Sequence, residues 1–244
     1  MTASTWAPPY ATGAQLRAYV GAPASLTTVS PAYTDPTDWL YALAISTASR
    51  SVDTACWRQF GNSGSSPAAR LYTPYVDIGR QRIVCDIDDL QDPAGLLVES
   101  NQNGDATTWS TVADWRLYPL NAAADGRPYT QLVFPRGWAW GAYAYDMLPF
   151  AEGSVRATTG GAGACTTGWG WAAVPDTVFQ ASLLQASRLL KRKDSPFGIA
   201  GSPAEGNALR LLARLDPDVA VMVQDYQRAH PKRWTTSTEE HVTL

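Results

Sequence analysis

Apolar positions recur every three or four residues toward both ends of the chain and at shorter, strand-like intervals through its middle, so the polarity pattern divides the molecule before any chemistry is considered. Thr12 is placed to cap a short helix carrying Leu16, Tyr19 and Val20, closed by Gly21 and Pro23. Asp35 and Pro36 open a longer one, with proline in the first turn where its missing N–H does no harm. Its predicted buried stripe is Leu40, Leu43, Ala44, Ala48, Val52, Ala55 and Cys56, flanked by Trp39, Trp57 and Phe60. Gly61 ends that helix, and GNSGSSP after it reads as a linker. Near the other end, Val174, Pro175 and Asp176 start a helix whose stripe runs Val178, Ala181, Ser182, Gln185, Ala186 and Leu189, widened by Leu183, Leu184 and Leu190. Asp216 and Pro217 cap a last helix with Val219, Met222, Val223 and Tyr226 on one side.

Between residues 71 and 170 the period changes. LYTPYVDIG, QRIVCDI, GLLVESN, TTWSTVADWRLYP, YTQLVFP and GSVRATTG are short runs of branched and aromatic residues, punctuated by Asp92–Pro93, Asn103–Gly104–Asp105 and Asp125–Gly126. They predict five or six short strands in a small antiparallel sheet or barrel. The stretch RGWAWGAYAYDMLPF at 136–150 does not fit a strand. It reads either as a hairpin whose rings pack back on their own sheet, or as a protrusion that is buried against a partner.

The expected fold is therefore α+β: helices at both ends and an antiparallel β domain inserted between them. The boundaries fall at an N-terminal arm and helices over 1–66, a β insert over 67–172, C-terminal helices over 173–228, and a polar tail over 229–244 that a partner would have to order.

Composition narrows the function. At 244 residues the chain can bury a real core, and only 17% of it is charged, which excludes a disordered or tail-like protein. Eleven per cent is aromatic, with 10 Trp and 11 Tyr, more than a core of this size needs, so aromatic weight remains for contact surfaces. The formal charge of −3 disfavours a protein that works by neutralising phosphates. Cys56, Cys85 and Cys165 form no CxxC pair and read as buried free thiols in a reducing compartment. No apolar run reaches the roughly 18 residues of a membrane span, and no basic-then-apolar leader is visible, so a soluble, unexported chain without membrane contact is expected.

Candidate chemistry is sparse. There is no G-x-x-x-x-G-K-[ST] loop, no G-x-S-x-G elbow and no H-E-x-x-H, and two histidines are a poor supply for acid–base work. No catalytic residue, cofactor or metal is assigned. Asp86, Asp88, Asp89 and Asp92 make the one notable carboxylate run, and Asp86 and Asp88 fall on one face of a strand. Such a pair could share a divalent cation, but no second cluster or calcium loop accompanies it, so a solvated strand-to-turn surface is the expectation. The basic run Arg188, Lys191, Arg192 and Lys193 sits where a helix dipole favours cations; it reads as a helix-terminal or intersubunit charge rather than a nucleic-acid patch. The residues by themselves describe a non-enzymatic interaction protein.

Several stretches resemble the head–tail connector, or adaptor, family of long-tailed (siphovirus-type) bacteriophages, in the form found in phages of actinobacterial hosts. LYALAISTASRSVDTACWRQF resembles the family's opening helix, and ADWRLYPLNAAADGRPYTQLVF at 113–134 its strand–turn–strand pattern. GWGWAAVPDTVFQASLLQASRLLKRKDSPFGIAG at 168–201 carries the most specific part, and LDPDVAVMVQDYQR at 215–228 resembles the last helix. The resemblance implies a small helical bundle interrupted by the β insert. It further implies a homo-oligomeric ring of about twelve copies beneath the portal protein at the packaging vertex. The tail side would receive a stopper or tail-terminator protein, and double-stranded DNA would pass through the channel without sequence readout. Carried to this chain, the 229–244 arm with Lys232, Arg233 and Trp234 would bind the portal. The resemblance does not fix where 136–150 points; Trp138, Trp140, Tyr143 and Tyr145 are candidates for contact with a neighbouring subunit or partner, and from the charge pattern alone Arg188, Lys191, Arg192 and Lys193 are expected to face Asp86, Asp88 and Asp89 at subunit contacts. Two other readings stand beside this one: a stopper or tail terminator, which would be mostly β, and a carbohydrate-binding module using the rings of 138–145.

Overall fold

The computed structural model describes residues 7–21, 38–77, 79–80, 82–101, 107–134, 152–160, 168–193, 199–200, 209–210 and 215–228. The fold class is α+β, and the chain divides into two compact units: residues 1–10 with 59–176, and residues 11–58 with 177–244.

The helical unit contains α1 (Gly13–Tyr19), α2 (Asp38–Cys56), α3 (Asp176–Lys193) and α4 (Pro217–Met222), the last followed by a 3-10 turn at Gln224–Tyr226. Thr12 caps α1 as its position in the sequence implies: its hydroxyl accepts the Gln15 N–H at 3.1 Å, and the Gln15 side chain accepts the Thr12 N–H at 2.8 Å. This reciprocal pair satisfies two of the N–H groups that a helix start leaves without partners. Asp216 caps α4 by accepting the Asp218 N–H at 3.0 Å, with proline at the first helical position. The last helix is shorter than the periodicity suggests, because the chain tightens into 3-10 geometry after Val223.

Leu16 of α1, Ala44, Ile45 and Ala48 of α2, and Leu183 and Ala186 of α3 form one buried cluster, with Tyr41 and Phe179 packed at its margin. Alanines at these positions let the helix backbones approach closely. Leu43, expected in the buried stripe, instead faces outward on α2.

The β unit is two four-stranded antiparallel sheets. One has the order β1 (Ala68–Tyr72), β8 (Val155–Thr159), β4 (Leu97–Ser100), β5 (Ser110–Thr111). The other has the order β2 (Tyr75–Asp77), β3 (Arg82–Leu90), β7 (Tyr129–Phe134), β6 (Arg116–Tyr118). Alternation decides what each strand buries: Ile83, Cys85 and Ile87 of β3, Leu132 and Phe134 of β7, Val98 of β4, and Val155 and Ala157 of β8 meet in a single core. A further pair, β9 (Ile199–Ala200) and β10 (Leu209–Arg210), joins residues in the other unit.

Trp169 is the largest side chain wholly inside that core. Its indole N–H donates to the Ala68 carbonyl at 2.8 Å, and its ring meets Tyr72 edge-on at 5.7 Å. The flanking backbone is held on two sides: Ser63 donates to the Trp169 carbonyl at 2.8 Å and Gln91 to the Gly170 carbonyl at 3.1 Å. Gly170 has φ +108, and a Cβ there would lie 2.0 Å from the Gly61 carbonyl oxygen, so only glycine can pass between these two segments. The GWGW run is thus the strap that closes the β unit.

Candidate functional site

Asp86, Asp88 and Asp89 lie on β3, and Asp92 follows the strand's end, where its carboxylate accepts the Ala94 N–H at 3.1 Å. Asp86 and Asp88 point outward as the alternation requires, and each has neighbours in its own unit. Asp86 accepts from Gln131 at 2.9 Å and from the Tyr75 hydroxyl at 3.3 Å. Asp88 accepts from the Tyr72 hydroxyl at 3.0 Å and pairs with Arg70, whose guanidinium sits 5.3 Å above the Trp169 ring. Burial, with the Asp88 charge beside it, pushes the Tyr72 phenol upward, and burial with Asp86 pushes Tyr75 up to about 12, so both phenols are donors at neutral pH.

Asp89 departs from the expected surface cluster. The pairing of β3 with β7 shifts between Asp86, opposite Gln131, and Leu90, opposite Tyr129. Asp89 continues the inward series Ile83, Cys85, Ile87 and is only 4% exposed, while the irregularity lets Leu90 join the core beside it. Its carboxylate accepts the Trp171 indole N–H at 2.9 Å. A carboxylate enclosed in this way cannot reach a neighbouring subunit. Among the described residues no group of three His, Cys, Asp or Glu side chains could hold a metal ion.

At the far end of α3, Arg188 pairs with Asp216, the cap of α4, while Gln185 accepts the Asp216 N–H at 3.1 Å. Arg188 therefore binds the two helices of its own unit together. Lys191 is exposed and Arg192 half-buried; the Lys193 side chain lies outside the described residues. So do Trp138, Trp140, Tyr143 and Tyr145, and the arm with Lys232, Arg233 and Trp234. The basic run belongs to the helical unit and the aspartates to the β unit.

The two described thiols are inert, and Cys165 lies outside the described residues. Cys56 and Cys85 are free and buried, and burial raises the Cys56 thiol to about 12 and moves Cys85 the same way. The indole of Trp109 sits beneath Arg156, which Glu99 holds through two hydrogen bonds of 2.8 and 2.9 Å on the outer side of the β1–β8–β4–β5 sheet.

Two features escaped the sequence reading. The first is an open groove of about 560 Å³ at the end of the second sheet, lined by Arg82, Asp114, Trp115, Arg116, Tyr118 and Phe134. Arg82 is held there by Asp77 at 3.2 Å and lies over the Tyr118 ring at 4.8 Å. The second is the exposed face of α2, where Trp39, Leu43 and Trp57 stand in solvent. The spacing could have disclosed part of it: Trp39 and Leu43 are four residues apart, about one helical turn, and so share a side of α2.

No family model matches the sequence, and no curated protein matches it. No helix among the described residues is long and apolar enough to cross a membrane.

Proposed function

We propose that this chain is a structural head-to-tail adaptor that forms a ring beneath the portal of a long-tailed bacteriophage, extends the DNA channel, and joins the capsid to the tail. The observation that carries this reading is the order of the two units. Residues 11–58 and 177–244 make one helical unit, and the chain between them makes the β unit. That is the arrangement the sequence resemblance implies for an adaptor with an inserted β domain. The helices on either side of the insert favour an adaptor over a stopper or terminator, which would be mostly β. Surface apolar residues concentrated on the helical unit suit a protein whose working form is an assembly.

On this reading the protein belongs to the neck of the virion and to the host cytoplasm during assembly. Its partners are the portal, neighbouring copies, and a stopper or terminator on the tail side. DNA passes through without being chemically altered, which suits a chain of formal charge −3 better than a gripping basic surface would. Light scattering of the chain alone and mixed with the portal of its phage tests the proposal. A ring-sized complex on the portal is the expected result. A chain that stays monomeric in both samples overturns it, and a glycan-binding role would then be the next to test.

A further inference from the structure

Three strands of one sheet build the open groove of about 560 Å³: Arg82 begins β3, Val133 and Phe134 end β7, and Arg116 and Tyr118 belong to β6. Asp114 and Trp115 join the lining from the segment before β6. The register brings these residues to one place, since Arg116 lies opposite Val133 and Val133 opposite Val84. Side chains alternate along each strand, so Arg82, Val133, Arg116 and Tyr118 share the sheet face turned away from the core that Ile83 and Leu132 fill. Val133 is only 7% exposed and floors the groove. The volume falls within the roughly 300–1,000 Å³ of ligand pockets.

Arg82 is fixed before any ligand arrives. Its Nε–H donates to Asp77 Oδ2 at 3.2 Å, and its guanidinium lies 4.8 Å from the centroid of the Tyr118 ring. Asp77 is held in turn, because its other carboxylate oxygen accepts the Arg80 N–H at 3.2 Å. With Nε spent, the two terminal nitrogens of the guanidinium have no partner among the described residues, and they form a flat fork at the groove. Such a fork meets an oxyanion through two parallel N–H···O bonds. Already stacked and hydrogen-bonded, it loses little freedom when it does so.

The rest of the lining selects among oxyanions. Arg116 and Asp114 are exposed, and neither has an ion pair or side-chain hydrogen bond among the described residues. The groove thus carries two guanidiniums and one carboxylate, and Asp77 offsets part of the Arg82 charge. That balance attracts a single negative charge and disfavours a dianionic phosphate, which Asp114 would repel. Trp115 and Tyr118, both half-buried, give apolar walls for the stem of an acidic side chain. Beside them β6 is the last strand of its sheet and pairs with β7 alone. Its outer edge offers backbone N–H and C=O groups to an extended chain, a contact that a free organic acid leaves unused.

We infer that this groove binds an extended acidic segment of a partner protein, with one carboxylate of the segment on the Arg82 fork and its backbone along the outer edge of β6. Arg116 supplies a second cationic donor, and Asp114 accepts from a backbone N–H or a cationic side chain further along the segment. The main-chain contacts give the segment its extended form, and the fork gives it the requirement for a carboxylate. The site lies wholly within the β unit and stands whether or not the chain assembles into a ring.

The test titrates the full chain with an acetylated, amidated Thr-Val-Glu-Val-Thr peptide, its Thr-Val-Gln-Val-Thr counterpart, propionate and inorganic phosphate. Binding is followed through the Trp115 indole and Arg82 Nε–H resonances. The Glu peptide is expected to bind about tenfold tighter than the Gln peptide, and more tightly than propionate or phosphate. Arg82→Lys keeps a cation but loses the fork and the ring stack, so it is expected to erase the preference for Glu over Gln. Arg116→Glu, at an exposed position that the sheet does not depend on, is expected to weaken the Glu peptide about tenfold with an unchanged circular dichroism spectrum. Arg127→Gln, exposed and outside the groove, is the control and should leave binding as it is. A merely structural arginine would not alter the Glu-to-Gln ratio in a folded chain. Equal affinity for the two peptides, or an Arg116→Glu chain that binds as wild type, overturns the site. Phosphate or propionate bound as tightly as the Glu peptide overturns the peptide as its occupant.

Discussion

The indole N–H of Trp171 donates to the carboxylate of Asp89 at 2.9 Å, joining residues 82 positions apart in the chain. One comes from the strand β3 and the other from the strap that follows the aromatic stretch. Around this bond, Gly170 donates to the Asp89 carbonyl and Trp171 to the Gly61 carbonyl at 3.0 Å. The Trp171 ring packs on Phe60 at 5.3 Å, and Phe60 meets Tyr10 edge-on at 5.7 Å. A buried charge thus serves to fix a closing segment.

Removing that acceptor should cost more than altering its charge. Asp89→Ala deprives a buried indole N–H of its carboxylate and is expected to cost about 1–3 kcal/mol. Asp89→Asn keeps an oxygen in place and should cost less. Urea unfolding followed by tryptophan emission checks the order, and equal midpoints for Asp89→Ala and wild type would remove the bond from the account.

Glycine substitutions separate steric need from turn preference. At Gly170 an added Cβ would meet the Gly61 carbonyl oxygen at 2.0 Å, so Gly170→Ala should prevent the strap from seating and lower the yield of folded chain. At Gly126, φ is +64 but nothing lies within 4 Å, so Gly126→Ala should cost only the left-handed strain, about 1–2 kcal/mol. Soluble yield and thermal midpoints of the two variants distinguish the cases.

The buried thiols make an alkaline prediction with a definite sign. Cys56 titrates at 9.0 when unfolded and at about 12 when folded, so between those values the unfolded chain has lost a proton that the native chain keeps. Stability then falls by about 1.4 kcal/mol per pH unit from this group, and it is unaffected below pH 9. Cys85 acts in the same direction. Cys56→Ala should flatten the alkaline decline in a denaturation series. In a Cys165→Ser background, thiol reagents at pH 8 should react with the native chain far more slowly than with the unfolded one; equal rates would contradict the burial.

Asp216 has two duties that substitution can part. Asp216→Asn keeps an acceptor for the Asp218 N–H but gives up the charge facing Arg188, and losing this partly buried pair is expected to cost about 1–3 kcal/mol. Asp216→Ala loses the cap as well and should cost about 1 kcal/mol more. Amide exchange in α4 reports the difference. If Arg188→Gln loosened α4 as much as Asp216→Ala does, the ion pair rather than the cap would be holding it.

Much of the local structure could be read from residues. Thr12 with Gln15 and Asp216 before Pro217 mark helix starts through hydrogen bonds to near neighbours, and Asp176 marks the start of α3 as an acidic residue in its first turn. The strand-rich middle was legible from its branched residues and turn dipeptides for the same reason. What failed was the choice between two apolar sides of α2. Leu43 and Trp39 follow the helical period as well as Ala44 and Ile45 do, and nothing within the helix says which side will meet Leu16 and Leu183.

Sequence by itself therefore determined where elements begin, which period they follow and which charges and thiols are at hand, because each depends on interactions within a few residues. Tertiary structure decided the rest. It paired β1 with β8, brought Leu90 into the core beside Asp89 at an irregularity whose register is set by β7, and left Trp39 and Leu43 of α2 in solvent. Each of these outcomes compares contacts between segments far apart in the chain, and the stronger packing across space overrides a local pattern that permits either answer.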